Sequence, residues 1–483
     1  MNESDPIGQE LTCNFVEIEP YTMASCHVYD SRRGCYVEPP IKPNILYLHC
    51  HDAGRYVQPY GHAIQTPHIQ KLAEQGVLFR QAFSAAPTCS PSRAALVTGQ
   101  WPHCNGMLGL AHRGFALSDY SQHIVHPLSQ AGYTTAIAGF QHVAPCATRE
   151  CIGYDEFLTE DEGFETITSA AEQFLGRSHD KPFFLSVGYV APHRREEDFH
   201  TLFEPDDDRY VRPPNPLPDT EETRKDMAMY KASVRSTDTC MGRVLAALDR
   251  KGLADDTLVI CTTDHGIPFP GMKSTLTDHG IGVMQIMRGP GGFSGGKVVD
   301  AMVSQIDLYP TICDLARIET PPWVQGRSMM PLIDGTETEI NDAVFAEITY
   351  HAAYEPARCV RTTRWKYIRR FDGRDRVVLS NLDDGPSKEF WYRNGWTDQT
   401  AAEEMLFDLV FDPDERCNVI ERADLQETAA EMRNRLDAWM RETNDPLLDG
   451  PVPAPPGATI TDPDDYSPRH GWPEYLQEGR DGC

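Results

Sequence analysis

Stretches with strand-like and helix-like patterns alternate along most of this 483-residue chain, and this alternation is what most limits the folds open to it. Buried-strand patterns occupy residues 44–50, 134–139, 182–190 and 257–263. Helical patterns occupy residues 68–76 and 224–251 between them. Because strands that alternate with helices build a parallel sheet with helices on both faces, we predict an α/β protein with a large, mostly parallel central sheet.

The pattern changes beyond about residue 340. Short strand-like runs near residues 364–370 and one amphipathic helix over residues 424–441 predict a smaller C-terminal antiparallel sheet with a helix. A Pro-rich stretch follows. We divide the chain into an N-terminal extension (1–42), a large α/β domain (43–340), a smaller C-terminal subdomain (341–447) and a Pro-rich C-terminal arm (448–483).

The charge balance excludes one class of partner. Lys and Arg number 44 against 72 Asp and Glu, a net charge of −28, so we expect no nucleic-acid partner. The acidic excess fits either a salt-adapted surface or a genome that favours Arg codons. No apolar run reaches the ~18 residues that cross a bilayer, and the first residues lack a signal-peptide pattern. We expect a cytoplasmic protein without a membrane partner, and leave a homo-oligomer open.

Two of the predicted strands are followed by residue types that commonly bind metal ions. His51 and Asp52 follow the first strand, and Asp264 and His265 follow the last. In open α/β sheets, ligands bind outside the carboxyl ends of the strands. A carboxylate and an imidazole from each strand end could together hold one divalent ion. The alternative is that these ends are polar because they meet solvent or cap helices.

A third motif is the run Cys-Ser-Pro-Ser-Arg at residues 89–93, ahead of a helical pattern. Pro91 suits the first turn of a helix, so the run could be a simple turn. A nucleophile at a helix N-terminus, however, gains from the helix dipole and the free N–H groups. Arg93, one turn on, could neutralise an anion there. The combination of Cys89 and Arg93 suggests attack on a charged ester.

The spacing Cys-x-Pro-x-Arg resembles the modification signature of type I sulfatases, in which the Cys is oxidised to Cα-formylglycine. The resemblance covers about residues 42–445 and is closest to the heparan N-sulfatase branch, the N-sulfoglucosamine sulfohydrolases. It includes residues 66–73, 79–83, 96–99, 105–107, 181–185, 192–193, 263–270, 406–409 and 412–415. It implies an alkaline-phosphatase-like fold and metal-dependent hydrolysis of a sulfate ester or sulfamate.

The resemblance also implies roles for single residues. Oxidised Cys89 would be the nucleophile, and Arg93 would hold the formylglycine hydrate. His142 would lie beside the nucleophile, His193 would protonate the leaving group and Lys273 would grip the sulfate. The divalent metal would be bound by His51, Asp52, Cys89, Asp264 and His265.

Three positions depart from the family pattern. The usual Asp-Asp and Asp-Asn pairs are His51-Asp52 and Asp264-His265 here. Nitrogen donors shift the preference from Ca²⁺ towards Mn²⁺, Zn²⁺ or Fe²⁺. Because successive strand side chains point to opposite faces, His51 and Asp52 converge only if the chain turns there, and His51 could instead contact substrate. Phe140 replaces a Lys of the heparan N-sulfatase pattern, which weakens electrostatic stabilisation of the leaving oxyanion or shifts that task to Lys273 or His142.

Two other functions stay open. The Asp-His pair also resembles that of phosphonate monoester hydrolases and phosphodiesterases, which share the fold and the nucleophile. A catalytically inactive binding protein is the second alternative, and an unmodified Cys89 would indicate it. For an active enzyme, the resemblance implies a formylglycine-generating maturation enzyme and a small sulfated substrate, such as a sulfated sugar.

The glycine-rich residues 291–297 nearly match two other motifs. A P-loop would need Ser or Thr where Val298 stands, and a nucleophile elbow would need a helix afterwards. We interpret the segment as a turn between two strands. Lesser candidates for the border of the pocket are His103, His112, His279 and His351.

Overall fold

The computed structural model describes residues 28–30, 35–37, 42–195 and 198–469. The chain divides into two compact units, residues 1–42 and residues 43–483. In the first unit, β1 (Val28–Asp30) pairs antiparallel with β2 (Cys35–Val37). Most of the predicted N-terminal extension, and the arm beyond residue 469, lie outside the described residues.

The second unit contains a large central sheet, a smaller sheet and a two-stranded hairpin. Its strands are β3 (Asn44–Cys50), β4 (Val77–Phe83), β5 (Thr134–Gly139), β6 (Glu156–Phe157), β7 (Phe183–Gly188), β8 (Arg194–Arg195), β9 (Asp198–Phe199), β10 (Thr257–Thr263), β11 (Gln285–Arg288), β12 (Lys297–Ser304), β13 (Ala343–Tyr350), β14 (Tyr354–Thr362), β15 (Trp365–Arg370) and β16 (Glu404–Asp408). The eight strands of the central sheet follow the order β12-β4-β11-β10-β3-β7-β5-β6. Within it only β11 runs antiparallel to its neighbours, which confirms the predicted mostly parallel sheet.

Helices cover the central sheet on both faces. The helices are α1 (Pro67–Gln75), α2 (Cys89–Thr98), α3 (Pro102–Asn105), α4 (Val125–Gln130), α5 (Phe164–Leu175), α6 (Glu221–Arg250), α7 (Asp278–Ile281), α8 (Leu308–Ala316), α9 (Met330–Asp334), α10 (Pro386–Arg393) and α11 (Gln426–Glu442). Leu46 and Leu48 of β3 pack in one core with α1, α5 and α6. Ile45 and Tyr47 face the opposite core, with α2, α4 and α8. This alternation is why the first predicted strand is apolar throughout.

The predicted helices are confirmed in type and place. The longest, α6, spans 30 residues and begins at a capping box in which the Thr220 and Thr223 side chains bond each other's backbone. None of the helices within the described residues has the length and apolar character needed to span a membrane.

The C-terminal part forms the predicted antiparallel sheet with a helix. Its four strands follow the order β13-β14-β15-β16, and α11 packs on them through Leu436 and Trp439. The glycine-rich segment joins β11 to β12, so the turn interpretation is confirmed and neither nucleotide loop nor nucleophile elbow forms there. The domain boundaries placed at 43, 341 and 448 stay predictions.

A buried ion pair ties this sheet to the chain that follows α11. The Arg358 guanidinium on β14 donates to both carboxylate oxygens of Asp445, at 2.6 and 3.1 Å. Both side chains are fully buried. Glu347 is a second, more distant carboxylate partner, 3.7 Å from the guanidinium. Loss of Asp445 would nevertheless leave two buried guanidinium donors without their acceptors.

We therefore expect Asp445→Ala to lower the free energy of unfolding by about 3–5 kcal/mol, measured by urea denaturation. Asp424→Ala is the matched control, because Asp424 pairs with Arg422 on the exposed surface. The control should leave the urea midpoint unchanged. Equal midpoints for Asp445→Ala and the native chain would show that the buried pair does not stabilise the fold.

Candidate active site

The predicted metal-binding residues meet at one edge of the central sheet. β3 and β10 are adjacent and parallel, and their register pairs Cys50 with Thr263, the last residue of each strand. Beyond β3 the chain turns, because Asp52 adopts a left-handed conformation with φ of 50°. The backbone N–H of Asp52 then donates to the Asp264 carboxylate at 2.8 Å.

Because the chain turns at Asp52, the side chains of His51 and Asp52 point to the same side instead of to opposite faces of the sheet. His51 Nδ1 lies 2.7 Å from Asp52 Oδ1 and 3.2 Å from Asp264 Oδ2. His265 Nε2 lies 3.2 Å from Asp52 Oδ1. One potential ligand atom from each of five buried residues lies within 4.8 Å of the others: His51, Asp52, Cys89, Asp264 and His265. The structure thus brings together all five residues predicted to bind the metal.

Charge in this cluster favours ionised carboxylates and a neutral imidazole. Burial raises the pKa of Asp52 and Asp264, but nearby cationic and imidazole groups outweigh it and hold both pKa values below their ordinary range. For His51, burial dominates and lowers the pKa to about 4. A neutral imidazole between two carboxylates is a suitable metal ligand.

The donor set fits a divalent transition metal. Two imidazoles and two carboxylates combine the nitrogen and oxygen donors that Mn²⁺, Zn²⁺ and Fe²⁺ accept. Among the described residues, the buried Nε2 atom of His51 has no hydrogen-bond partner. An unsatisfied buried nitrogen is costly unless another group binds it.

Cys89 begins helix α2 at the edge of this cluster. Its Sγ lies 3.4 Å from His265 Nε2. Pro91 is the third residue of α2, where its missing N–H costs no helical bond. The Ser92 hydroxyl donates to the Asp264 carbonyl at 2.6 Å and so fixes the first turn of the helix to the end of β10.

Arg93 is tied to the strand ends. Its guanidinium donates to the Asp264 carboxylate at 3.2 Å and to the Cys50 carbonyl at 3.0 Å, and it lies 2.8 Å from His49 Nδ1. Phe140, which replaces the family Lys, lies with its ring centre 5.2 Å from the guanidinium carbon. In this arrangement Arg93 stabilises the buried carboxylate, and its predicted contact with the nucleophile stays a prediction.

A second group of charges surrounds Lys273. Its ammonium donates to Asp52 at 2.9 Å and to Asp383 at 2.7 Å. His193 Nδ1 lies 2.7 Å from the same Asp52 oxygen and 3.4 Å from the ammonium. Lys273 and His193 therefore border the group of potential metal ligands from one side, and their predicted roles towards the substrate stay predictions.

His142 lies on another side, where the chain again adopts a left-handed conformation, with φ of 59°. Its ring stacks on His112, with Nε2 2.9 Å from Nδ1 of that residue. A cavity of about 180 Å³ opens beside the two rings, and Phe140 and Glu162 also line it. There is thus room for a substrate group next to His142.

The lesser histidine candidates separate in space. Besides His112, His351 is close to Lys273: after burial, this ammonium is the largest cause that lowers the pKa of the His351 imidazole. His103 instead pairs with Glu347 beside the Arg358 ion pair. His279 lies 3.2 Å from the Tyr56 hydroxyl, on a separate cavity of about 390 Å³.

Sequence reasoning missed two residues of the site. His49 contacts and orients the Arg93 guanidinium. In the sequence, only its position near the polar end of the first predicted strand pointed to the site. Asp383 reaches Lys273 from the segment between β15 and α10, more than a hundred positions along the chain. Nothing in the local sequence around Asp383 indicates that contact.

Comparison with known proteins gives a consistent family. Residues 43–318 match the sulfatase family, and residues 272–400 match the C-terminal domain of N-sulphoglucosamine sulphohydrolases. The human N-sulphoglucosamine sulphohydrolase is 30% identical over 465 residues, covering 84% of this chain and 92% of the human protein.

Solved structures share the fold at lower identity. A protein solved in complex with its substrate D-glucosamine-2-N,6-O-disulfate has a TM-score of 0.64 and 19% identity, covering 84% of this chain and 98% of its own. The phosphonate monoester hydrolase of Agrobacterium radiobacter has a TM-score of 0.63 and 19% identity, covering 86% and 100%. These likenesses establish the fold that the sequence predicts.

We expect the metal-free chain to bind Mn²⁺ and Zn²⁺ more tightly than Ca²⁺ in calorimetric titrations, because two of the donors are imidazoles. His51→Gln and His265→Gln should each weaken Zn²⁺ binding at least about tenfold. His62→Gln is the control, since His62 lines the separate cavity. Tightest binding of Ca²⁺, or an unchanged Zn²⁺ affinity in both variants, would remove the imidazoles from the ligand set.

Proposed function

Because this chain belongs to the sulfatase family and is a sulfuric ester hydrolase, we propose that it cleaves the sulfate ester or sulfamate of a small sulfated sugar, using a formylglycine derived from Cys89. The observation that supports this most directly is the place of Cys89. It starts a buried helix and contacts a compact group of metal-ligand side chains. The predicted cytoplasmic location and any homo-oligomer stay predictions.

An unmodified Cys89 suits this reaction poorly. Burial raises the pKa of its thiol well above the ordinary value, and Asp52 and Asp264 add to this effect although Lys273 opposes it. The thiol is therefore protonated at neutral pH and weakly nucleophilic. Formylglycine would supply, as its hydrate, an oxygen nucleophile in place of the thiol.

The residues around Cys89 would divide the remaining tasks. A divalent metal held by His51, Asp52, Asp264 and His265 would supply Lewis-acid polarisation of the sulfate oxygens. Lys273 would bind the anionic group, since its ammonium faces the cluster. His193 is partly exposed beside Lys273, where it can hold a proton for the leaving oxygen or nitrogen.

The proposed substrate class is supported from two sides. One solved relative binds a disulfated glucosamine, and the human relative is named for a sulphated glucosamine. In this chain, the cavity beside His142 carries the acidic residues Glu160, Asp161 and Glu162 on its lining. Such a lining offers hydrogen-bond acceptors to hydroxyl or amino groups of a sugar.

The test is mass spectrometry of the tryptic peptide 81–93 from protein produced in its own host, together with sulfate release from p-nitrophenyl sulfate. We expect the mass of an aldehyde in place of the Cys89 thiol. Cys89→Ala should lower kcat/KM by at least about a thousandfold, because the nucleophile is lost.

Cys417→Ala is the matched control, since Cys417 is exposed and lies outside the cluster. It should retain native turnover. An intact thiol on protein that hydrolyses the ester would refute the formylglycine nucleophile. An intact thiol without turnover would favour the inactive binding protein.

Phosphonate monoester hydrolysis is the second candidate. The Asp264-His265 pair after β10 and the fold shared with the Agrobacterium enzyme support it. Comparison of kcat/KM for p-nitrophenyl sulfate and p-nitrophenyl phenylphosphonate decides between the two. A larger value for the phosphonate would replace the sulfatase proposal.

A further inference from the structure

Asp383 is a charged residue of the site to which neither the sequence motifs nor the family comparison assigns a role. It comes from the C-terminal part of the chain, yet its carboxylate accepts a hydrogen bond from Lys273 at 2.7 Å. It also groups with Asp52 and His193 as potential ligands within 4.8 Å. Only 12% of its side chain is exposed. It therefore contributes its charge inside the pocket.

The segment that carries Asp383 is held in place on both sides. The Ser274 hydroxyl, next to Lys273, donates to the Asn381 carbonyl at 2.8 Å. The Asn381 side chain in turn accepts the backbone N–H groups of Ala352 and Ala353, at 2.9 and 2.7 Å. Asp383 and Lys273 thus belong to two segments that are joined directly, which fixes the carboxylate opposite the ammonium.

This carboxylate carries a full negative charge at neutral pH. Burial raises its pKa, but the surrounding groups, of which the ammonium of Lys273 is the strongest, together outweigh burial and hold the pKa below its ordinary range. Asp383 therefore offsets the positive charge of Lys273, the group proposed to bind the substrate anion. Arg93, the other fixed cation of the cluster, is already paired with Asp264.

The repulsion between the Asp383 carboxylate and a bound anion depends on how many negative charges the anion carries. A sulfate ester, a sulfamate or a phosphonate monoester carries one negative charge on its tetrahedral centre. A phosphate monoester carries nearly two above its second pKa of about 6. Coulomb repulsion from a fixed carboxylate is twice as large for two charges as for one.

We propose that Asp383 is a specificity-determining residue, which makes the pocket select tetrahedral centres with one negative charge and reject dianionic phosphate monoesters. The proposal rests on the proposed function, since it takes Lys273 as the anion-binding group. The carboxylate acts by its charge, so the amide of Asn in its place removes the selection without a change in shape.

The experiment compares Asp383→Asn with the native chain at pH 8, on p-nitrophenyl sulfate, p-nitrophenyl phenylphosphonate and p-nitrophenyl phosphate. We expect kcat/KM for the phosphate monoester to rise about tenfold relative to each of the two monoanionic esters. Asp383→Glu keeps the charge and should restore the native ratio. Asp384→Asn is the matched control, because that carboxylate bonds Lys388 and Ser467 instead.

Binding gives a second readout that does not depend on turnover. Calorimetric titration of the metal-loaded proteins with sulfamate and with hydrogen phosphate should show the dissociation constant of phosphate falling about tenfold more than that of sulfamate in Asp383→Asn. A ratio unchanged within twofold, or the same shift in Asp384→Asn, would overturn the role of Asp383. If the native chain cleaves none of the three esters, the proposed function fails instead.

Discussion

The parallel pairing of β3 with β10 is the constraint on which the site depends. Its register places the last residues of both strands side by side, so that the two residues after each strand emerge together. The hydrogen bond from the Asp52 backbone to the Asp264 carboxylate then closes the gap between them. A shift of one residue in this register would move one pair of ligands to the opposite face of the sheet.

Burial of several ionised carboxylates in one pocket raises the free energy of the folded state, and the neighbouring cations offset this effect. Asp264 has Arg93 and Asp52 has Lys273, each in direct contact. Without these partners the buried carboxyl groups would take up protons and lose their ability to bind a metal. Arg93 is thus first an electrostatic partner of the metal site. This explains why the signature needs Arg one turn after the Cys, where the guanidinium reaches the strand ends.

The sequence predicts the central sheet well, because buried parallel strands such as β3 and β10 are continuous apolar runs with polar ends. It also indicates which residues gather at those ends, since the topology of such sheets is restricted. The left-handed turn at Asp52 could not be derived, because Asp adopts this conformation more often than most residues but still only in a small fraction of cases. Phe140 has a role visible only in three dimensions, where its ring packs against the Arg93 guanidinium. The role of Asp383 could not be predicted from the sequence, because its contact with Lys273 joins segments that are far apart in the chain.

These differences follow from how each part of the site is built. The predicted nucleophile begins α2, and four of the predicted metal ligands directly follow β3 and β10. The core fixes the positions of these elements, so short motifs specify the residues at their ends. Asp383 and His351, which lie close to Lys273, come instead from the C-terminal part of the chain. Those positions depend on packing between remote segments, such as the bond between Ser274 and Asn381. The reaction type is therefore indicated by local sequence, whereas the substrate selection that we propose for Asp383 depends on contacts that only the folded chain brings together.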